Sequence, residues 1–282
     1  MNNTQSLSES EKAITVADLI QPIEEHIGCN YMHWPDGGFF NGGTNTEVKG
    51  VLLTWMAGAS TIKQAIKDRC NVIICHEPLF FHEKDELPPY RWLTPNDGCK
   101  EPEWHPNSIR RKLILDNSIT IFQCHYGLDR YCMYAAFSKA LGLDEPILDH
   151  GWESIFTLKK TMTVKELIAN IKERLQISGT VRVVGDPDQE VLKVASLWGG
   201  MGLSDNIYWL RRAILNKADV AICGEMNEFF MQFAEDAGFP VIETSHKLSE
   251  EYGIASYAAS LQEKFPQLNI RTKIEGRPYY TF

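Results

Sequence analysis

The stretch VKGVLLTWMAGASTIKQAIKDRCNVIICHE, Val48 to Glu77, sets the fold class. It reads as a strand ending in tryptophan, a glycine turn, an amphipathic helix and a second strand that closes on Cys-x-Glu, with short apolar runs bounded by turn signals. The stretch VLKVASLWGGMGLSDNIYWLRRAILNKADVAICGE, Val191 to Glu225, repeats that order, tryptophan and Cys-x-Glu included. Each copy then leads through another helix to a histidine with an acid four residues later, His125 with Asp129 and His246 with Glu250. Residues i and i+4 share a helix face, so each pair can address one point. Agreement at polar positions, which packing does not require, favours an internal duplication over convergence of generic βαβ units. The expectation is an α/β protein of two related lobes, the first over residues 1–147 and the second over 148–282, with about 220–265 completing a cleft shared by both.

Three strand-like runs stop at a histidine accompanied by a carboxylate: VIICHE at His76 and Glu77, TIFQCHYGLD at His125 and Asp129, VIETSHKLSE at His246 and Glu250. In an open α/β sheet the residues just past the carboxyl ends of the strands gather in a common crevice, where such folds bind ligands. Imidazoles and carboxylates gathered there suit a divalent cation of borderline or hard character. A single histidine at a strand end is ordinarily a turn or capping residue. Three of them, each with its carboxylate, point to metal.

Composition bounds the rest. The 282 residues allow one large or two modest domains, and 44% hydrophobic residues suffice for buried cores. A net charge of -9 argues against a nucleic-acid surface, which would present a basic stripe. The start MNNTQSLSESEK is neither a signal nor a transit peptide and no apolar run reaches membrane-spanning length, so no membrane association and a cytoplasmic location are expected. Seven cysteines without Cys-x-x-Cys spacing fit reduced thiols, and Cys75, Cys124 and Cys223 at strand ends read as small packing residues.

Along the chain, Val16, Leu19, Ile20, Ile23 and Ile27 give a helix over about Thr15 to Ile27 one apolar face, and Thr163 to Glu166 form a capping box for a later helix. GGFFNGGTNTE reads as a loop. The proline-rich segment Glu83 to Pro106 reads as a lid or an interface arm, with Tyr90, Trp92 and Trp104 suited to a buried contact. Gly199, Gly200 and Gly202 come after a strand and precede a helix. They are either a tight turn or a weak substrate-binding cradle for an anion.

An ordered set of segments carries a family resemblance: His-Glu-Pro-Leu-Phe-Phe, Cys-His-Tyr-Gly-Leu-Asp, Gly-Asp-Pro-Asp before a valine-rich strand, Gly-Gly-x-Gly, Ala-Asp-Val-x-Ile-x-Gly-Glu and Ser-His-x-x-Ser-Glu. From about Gly37 to Phe265 the chain resembles the NIF-three-like family (NGG-one-interacting factor three), whose bacterial members are often labelled GTP cyclohydrolase I type 2 homologues. The resemblance implies two related α/β lobes, a dinuclear metal site in the cleft between them and a toroidal hexamer. It implies His76, Glu77, Asp129, His246 and Glu250 as metal ligands, with His125 in the place of a motif histidine.

The chain departs from the family pattern in three places. Glu77 stands where the family has histidine, LLTWMAG lacks the usual aspartate after the opening strand, and DRYCMYAAF lacks the Gly-Val-Asn-Asp segment. Carboxylate oxygen also binds divalent ions, so the first change preserves ligation. The expected protein is a homo-oligomer holding two divalent ions per chain, zinc, iron or manganese. It would act as a metal-dependent hydrolase on a nucleotide-like or other small-molecule substrate, with His125 and Glu225 as candidates for proton transfer. The rival expectation is a non-catalytic metal-binding, metal-sensing or regulatory oligomer.

Overall fold

The structure is a computed structural model that describes residues 13–81 and 101–281. Most of the proline-rich segment, with Tyr90 and Trp92, lies outside the described residues. The chain opens with α1 (Val16–Ile27). Thr15 caps it, donating through its amide and hydroxyl to Asp18 at 2.8 and 2.7 Å, and the stripe Val16, Leu19, Ile20 and Ile23 is buried. Next in order are β1 (Gly38–Phe40), β2 (Gly50–Thr54), α2 (Ala59–Lys67), β3 (Val72–Cys75), α3 (Pro106–Asp116) and β4 (Thr120–Gln123). A short α4 (His125–Leu128), a π-helical turn over Asp129–Met133 and α5 (Tyr134–Ala140) complete this run.

The second run is β5 (Pro146–Asp149), β6 (Ser154–Thr163), α6 (Val164–Arg174), β7 (Val183–Val184), β8 (Glu190–Leu197), α7 (Ile207–Leu215), β9 (Val220–Cys223), α8 (Glu228–Asp236), β10 (Val241–Glu243), α9 (His246–Lys264) and β11 (Asn269–Lys273). The capping box read from sequence starts α6: Glu166 N–H donates to the Thr163 hydroxyl at 3.2 Å while Thr163 N–H donates to the Glu166 carboxylate at 2.8 Å.

These strands form two sheets. The first has the order β1-β4-β3-β2-β11, parallel except for β1, and the second β5-β6-β8-β9-β10-β7, parallel only through β8, β9 and β10. The boundary drawn between 147 and 148 falls inside β5, and β11, late in the chain, returns to the first sheet beside β2. β2, β3, β4, β9 and β10 are buried along their whole length, as parallel strands covered on both faces must be. Side chains alternate along a strand, so Val72 and Ile74 join a core shared with α1, α9 and the second sheet, while Ile73 and Cys75 pack under α2 and α3. α9 runs through this shared core against α5, β2, β11 and the glycine turn after β8. No helix among the described residues is long and apolar enough to cross a membrane.

One buried charge makes a prediction. Glu153, between β5 and β6, is wholly buried, and its carboxylate makes no hydrogen bond, although Arg212 Nε lies 3.2 Å away out of line. Burial pushes its pKa up to about 7, and the Arg212 charge only partly opposes this. A folded-state pKa above the unfolded value makes the contribution to stability complete below about 4.5 and lost as pH rises through about 7. Glu153→Gln is therefore expected to raise Tm by a few degrees at pH 8 and by nothing resolvable at pH 4.5, read by thermal unfolding across pH. A gain of equal size at both pH values would exclude this account.

Candidate metal centre

Residues just past the ends of three strands build the site. β3 delivers His76 and Glu77, whose amides donate to the Trp55 carbonyl at 3.1 and 2.8 Å, fixing the exit from the strand against the end of β2. After β4, the Cys124 amide donates to the Cys75 carbonyl at 2.7 Å, and α4 begins at once with His125. Asp129 opens the π-helical turn, a widened helical geometry that recurs at functional sites. After β10, Ser245 caps α9, so His246 and Glu250 occupy successive turns on one face. Gly253, one turn further on, lets α9 approach the π-helical turn: a Cβ there would lie 2.2 Å from Met133 Sδ and 2.9 Å from Met133 Cα.

The side chains form one continuous chain of contacts. His76 Nε2 lies 2.7 Å from Asp129 Oδ1. On the other edge of the ring, Nδ1 is 3.1 Å from Glu250 Oε2 and 3.8 Å from Glu77 Oε1. His246 Nε2 is 3.1 Å from Glu250 Oε1 and 3.3 Å from Glu77 Oε1, and its Nδ1 is 2.9 Å from Glu225 Oε2. His125 stacks on His76 with ring centres 4.5 Å apart, and its Nδ1 lies 3.6 Å from Asp129 Oδ2. Glu250 thus spans the two histidines, one oxygen to each. All five residues expected as ligands come together here, with His125 at the Asp129 end and Glu225 at the His246 end.

Two triads have donor atoms within 4.8 Å of one another, His76 with His125 and Asp129, and His76 with Glu77 and Glu250. A neutral imidazole offers one lone pair, so both triads cannot draw on His76 at once. The ring's own contacts discriminate. Nε2 is held by Asp129, whereas Nδ1 is wholly buried and, though 3.1 Å from a carboxylate oxygen, makes no aligned hydrogen bond. Buried imidazole nitrogen facing two carboxylates requires positive charge at that point, from a proton or from a metal ion. With Nε2–H on a carboxylate and Nδ1 open, the ring has the orientation that metal-binding histidines take. The donor set of nitrogens and carboxylate oxygens fits a divalent ion.

The same demand appears as displaced pKa values. Burial opposes charging His76, but Glu250 and Asp129 override it and hold its pKa well above the ordinary value. The same contest holds His246 well above, through Glu250 first, and brings His125 up to about 9 through Asp129. Burial alone would raise Glu250 and Glu77, yet His246 and His76 hold Glu250 well below the usual carboxylate range and His246 holds Glu77 below it. Glu225 is lowered by its hydrogen bond from His246. Cys75 goes the other way, pushed up to about 12 by burial, and Cys124 and Cys223 are also raised by burial. These thiols stay protonated and pack, as their positions suggested.

Three further residues hold the cluster: Asp36, which no motif announced, and Trp55 and Ser249, which stood in quoted segments without a role. Asp36 takes His125 Nδ1 at 3.1 Å and the Tyr126 amide at 2.8 Å. Trp55 Nε1 donates to Glu250 Oε2 at 2.7 Å. The Ser249 hydroxyl accepts from the Gly199 amide at 2.9 Å and donates to the His246 carbonyl at 2.7 Å. The glycines after β8 have a steric reason: a Cβ on Gly199 would lie 2.2 Å from Glu250 Oε1, one on Gly200 3.2 Å from His246 Cε1, and one on Gly202 2.1 Å from the Glu225 carbonyl. The Gly199 and Gly202 amides are both taken up inside the protein. The glycines therefore serve close approach to the cluster.

The comparisons agree with this architecture. The model of the family described as Duf34/NIF3 (NGG1p interacting factor 3) matches residues 14–277. A protein of Clostridium acetobutylicum named GTP cyclohydrolase 1 type 2 homolog is 21% identical over 276 residues, covering 93% of this chain and 95% of its own. A Neisseria meningitidis protein of the same name is 26% identical over 225 residues, covering 76% and 80%. The crystal structure of a Bacillus cereus protein related to NIF3 superposes with a TM-score of 0.76 at 17% identity, covering 96% of this chain and all of the other.

Proposed function

We propose, from the premise that the chain belongs to the Duf34/NIF3 family, that it is a metal-dependent hydrolase of a small, nucleotide-like molecule. Its centre would take two divalent ions held by His76, Glu77, Asp129, His246 and Glu250. The observation that carries the reading is the buried His76 Nδ1 facing the carboxylates of Glu250 and Glu77, at 3.1 and 3.8 Å, with no aligned hydrogen bond. On this reading the two lobes are copies of one duplicated unit, and the cleft between them holds the centre. The nucleotide-like substrate rests on the name of the bacterial relatives.

Paired divalent ions lower the pKa of a shared water and polarise the substrate's electrophile. The protein's own groups do the rest. Glu250 sits between the two histidines and is kept in place by Trp55. His125, oriented by Asp36, and Glu225, oriented by His246, stand at the two ends of the contact chain, where each can accept or release a proton. With Glu77 in the set the site offers three carboxylates, a harder and more anionic shell than histidine would give, and tilts toward manganese or iron while zinc still competes.

The test is elemental analysis after reconstitution with equimolar manganese, iron and zinc under anaerobic conditions. The wild type is expected to carry two ions per chain and Glu77→Ala one. Equal stoichiometry in both would show that Glu77 is no ligand. Hydrolysis of a nucleotide panel by the loaded protein, lost in His125→Ala with both ions retained, separates an enzyme from a metal-holding oligomer. A closed shell with no exchangeable water on the manganese form would favour the latter. The assembly is expected to be a homo-oligomer, in the family's manner a hexamer, and a monomeric mass by light scattering at micromolar protein would count against it.

A further inference from the structure

A cavity of about 430 Å³ adjoins the metal centre, and the wall they share is Trp55, Glu225 and His246. That volume is in the range of small-ligand sites, roughly 300–1,000 Å³. Its far side comes from segments that the centre does not use: Arg182 just before β7, and Arg277, Tyr279 and Thr281 after β11.

The cations that line it are not equally engaged. Arg182 is neutralised by Glu243, with Nε donating to Oε1 at 2.8 Å and Nη2 meeting Oε2, and Nη2 also reaches the Met226 carbonyl at 2.8 Å. Lys247 donates to Glu275 at 2.7 Å and lies 3.6 Å from Glu251. Arg277 differs. Its Nη1 donates to two backbone carbonyls, Ser178 at 3.3 Å and Thr180 at 2.9 Å. Its Nε is buried with no hydrogen-bond partner, and among the described residues Nη2, which is not buried, makes no hydrogen bond and no carboxylate pairs with the guanidinium. The guanidinium lies over the Tyr279 ring, 4.7 Å from its centre, which fixes the plane of the fork. Arginine stays charged in proteins, and carbonyl dipoles do not neutralise it. A guanidinium held rigid on a cavity wall with a donor unspent is matched by an oxyanion.

We propose that this cavity binds the oxyanion of a small substrate, a phosphate or a carboxylate, with Arg277 as its anchor, so that the rest of the molecule passes Trp55 to reach the metal centre. The identification as a substrate site rests on the hydrolase reading above; the anion site itself does not. Arg277 also ties the segment after β11 to the backbone at Ser178 and Thr180, and the rival account is that this is all it does.

Isothermal titration calorimetry on the full chain decides between them, with phenyl phosphate, inorganic phosphate and neutral phenol as probes, on metal-loaded and chelator-treated protein. The wild type is expected to bind phenyl phosphate in both forms and phenol in neither. Arg277→Met should weaken phenyl phosphate about tenfold or more in both, the loss of a charge-assisted hydrogen bond. Arg277→Lys, which keeps the charge but cannot hold both carbonyls, should retain most of the affinity. Inorganic phosphate binding as tightly as the ester marks a free-anion site, and a tighter ester marks a substrate that carries the anion; both uphold the oxyanion pocket. Binding only in the metal-loaded form, Arg277→Met within about twofold of wild type, or Arg277→Lys falling as far as Arg277→Met would overturn it. A protein that takes up no metal yet binds phenyl phosphate through Arg277 would sink the hydrolase reading and leave the anion site standing.

Discussion

Glu250→Ala is expected to leave the protein with no tightly held divalent ion, a larger loss than the one ion given up by Glu77→Ala. The difference comes from position. Glu77 approaches His246 at 3.3 Å and lies 3.8 Å from His76, whereas Glu250 gives one oxygen to each histidine at 3.1 Å. On the proposed reading, removing it would take a ligand from both sides of the site together with a full negative charge that would offset the cations. It also leaves the half-buried Trp55 indole N–H without its carboxylate partner. Elemental analysis after dialysis against chelator-free buffer reads the stoichiometry, and near-ultraviolet circular dichroism checks that the fold persists. A variant that keeps one ion would show that Glu250 belongs to one metal only. Glu250→Gln, which keeps the shape and can still accept from Trp55, should lose the ions while keeping the Tm, separating charge from packing.

Gly199→Ala should weaken metal binding without touching any ligand. Gly199 has φ +54°, and a Cβ there would lie 2.2 Å from Glu250 Oε1, 3.2 Å from Cδ and 3.6 Å from Cγ. The added methyl displaces the carboxylate that spans the two histidines, so affinity should fall by about 10–100-fold, the usual scale for disturbing the surroundings of a ligand. The backbone strain is a separate effect of about 1–2 kcal/mol. Gly238→Ala supplies the control: φ there is +60°, and nothing lies within 4 Å of the added Cβ. Both variants should lose some Tm, but only Gly199→Ala should lose affinity in competition with a chromogenic chelator. Equal affinity in the two would remove the steric account of the turn.

The parallel strands were legible because they obey a strong rule: a run buried on both faces must be apolar throughout, and VIIC and VAIC are. The start of α9 was legible for a similar reason, since Ser245 caps it and His246 and Glu250 come next at helical spacing. β1 was hidden in a glycine-rich stretch, being three residues that pair only with β4, too short for any period to show. TVRVVG reads as a strand, yet only Val183 and Val184 pair. Asp36 could not be found from spacing, because its partners His125 and Tyr126 lie 89 and 90 residues away. Tryptophan at the end of both β2 and β8 was visible as a pattern but not as a role. Trp55 donates across 195 residues to Glu250, while Trp198 donates to the Trp152 carbonyl, so one position serves the site and the other serves packing.

The return of β11 to the first sheet bears on how the protein is made. β2 pairs on one side with β3, close to it in sequence, and on the other, residue for residue from Gly50 to Thr54, with Asn269 to Lys273. During synthesis the first sheet is ready early but its flank stays open until the chain through Lys273 has left the ribosome. An open strand edge is a template for pairing with another chain. The dangerous interval in biogenesis is thus the time taken to translate the second half, roughly 7–30 seconds at about 5–20 residues per second. A nascent chain stalled within that half exposes β2 to its neighbours on a polysome, which makes early chaperone engagement and slow-codon placement, rather than final stability, the levers on yield.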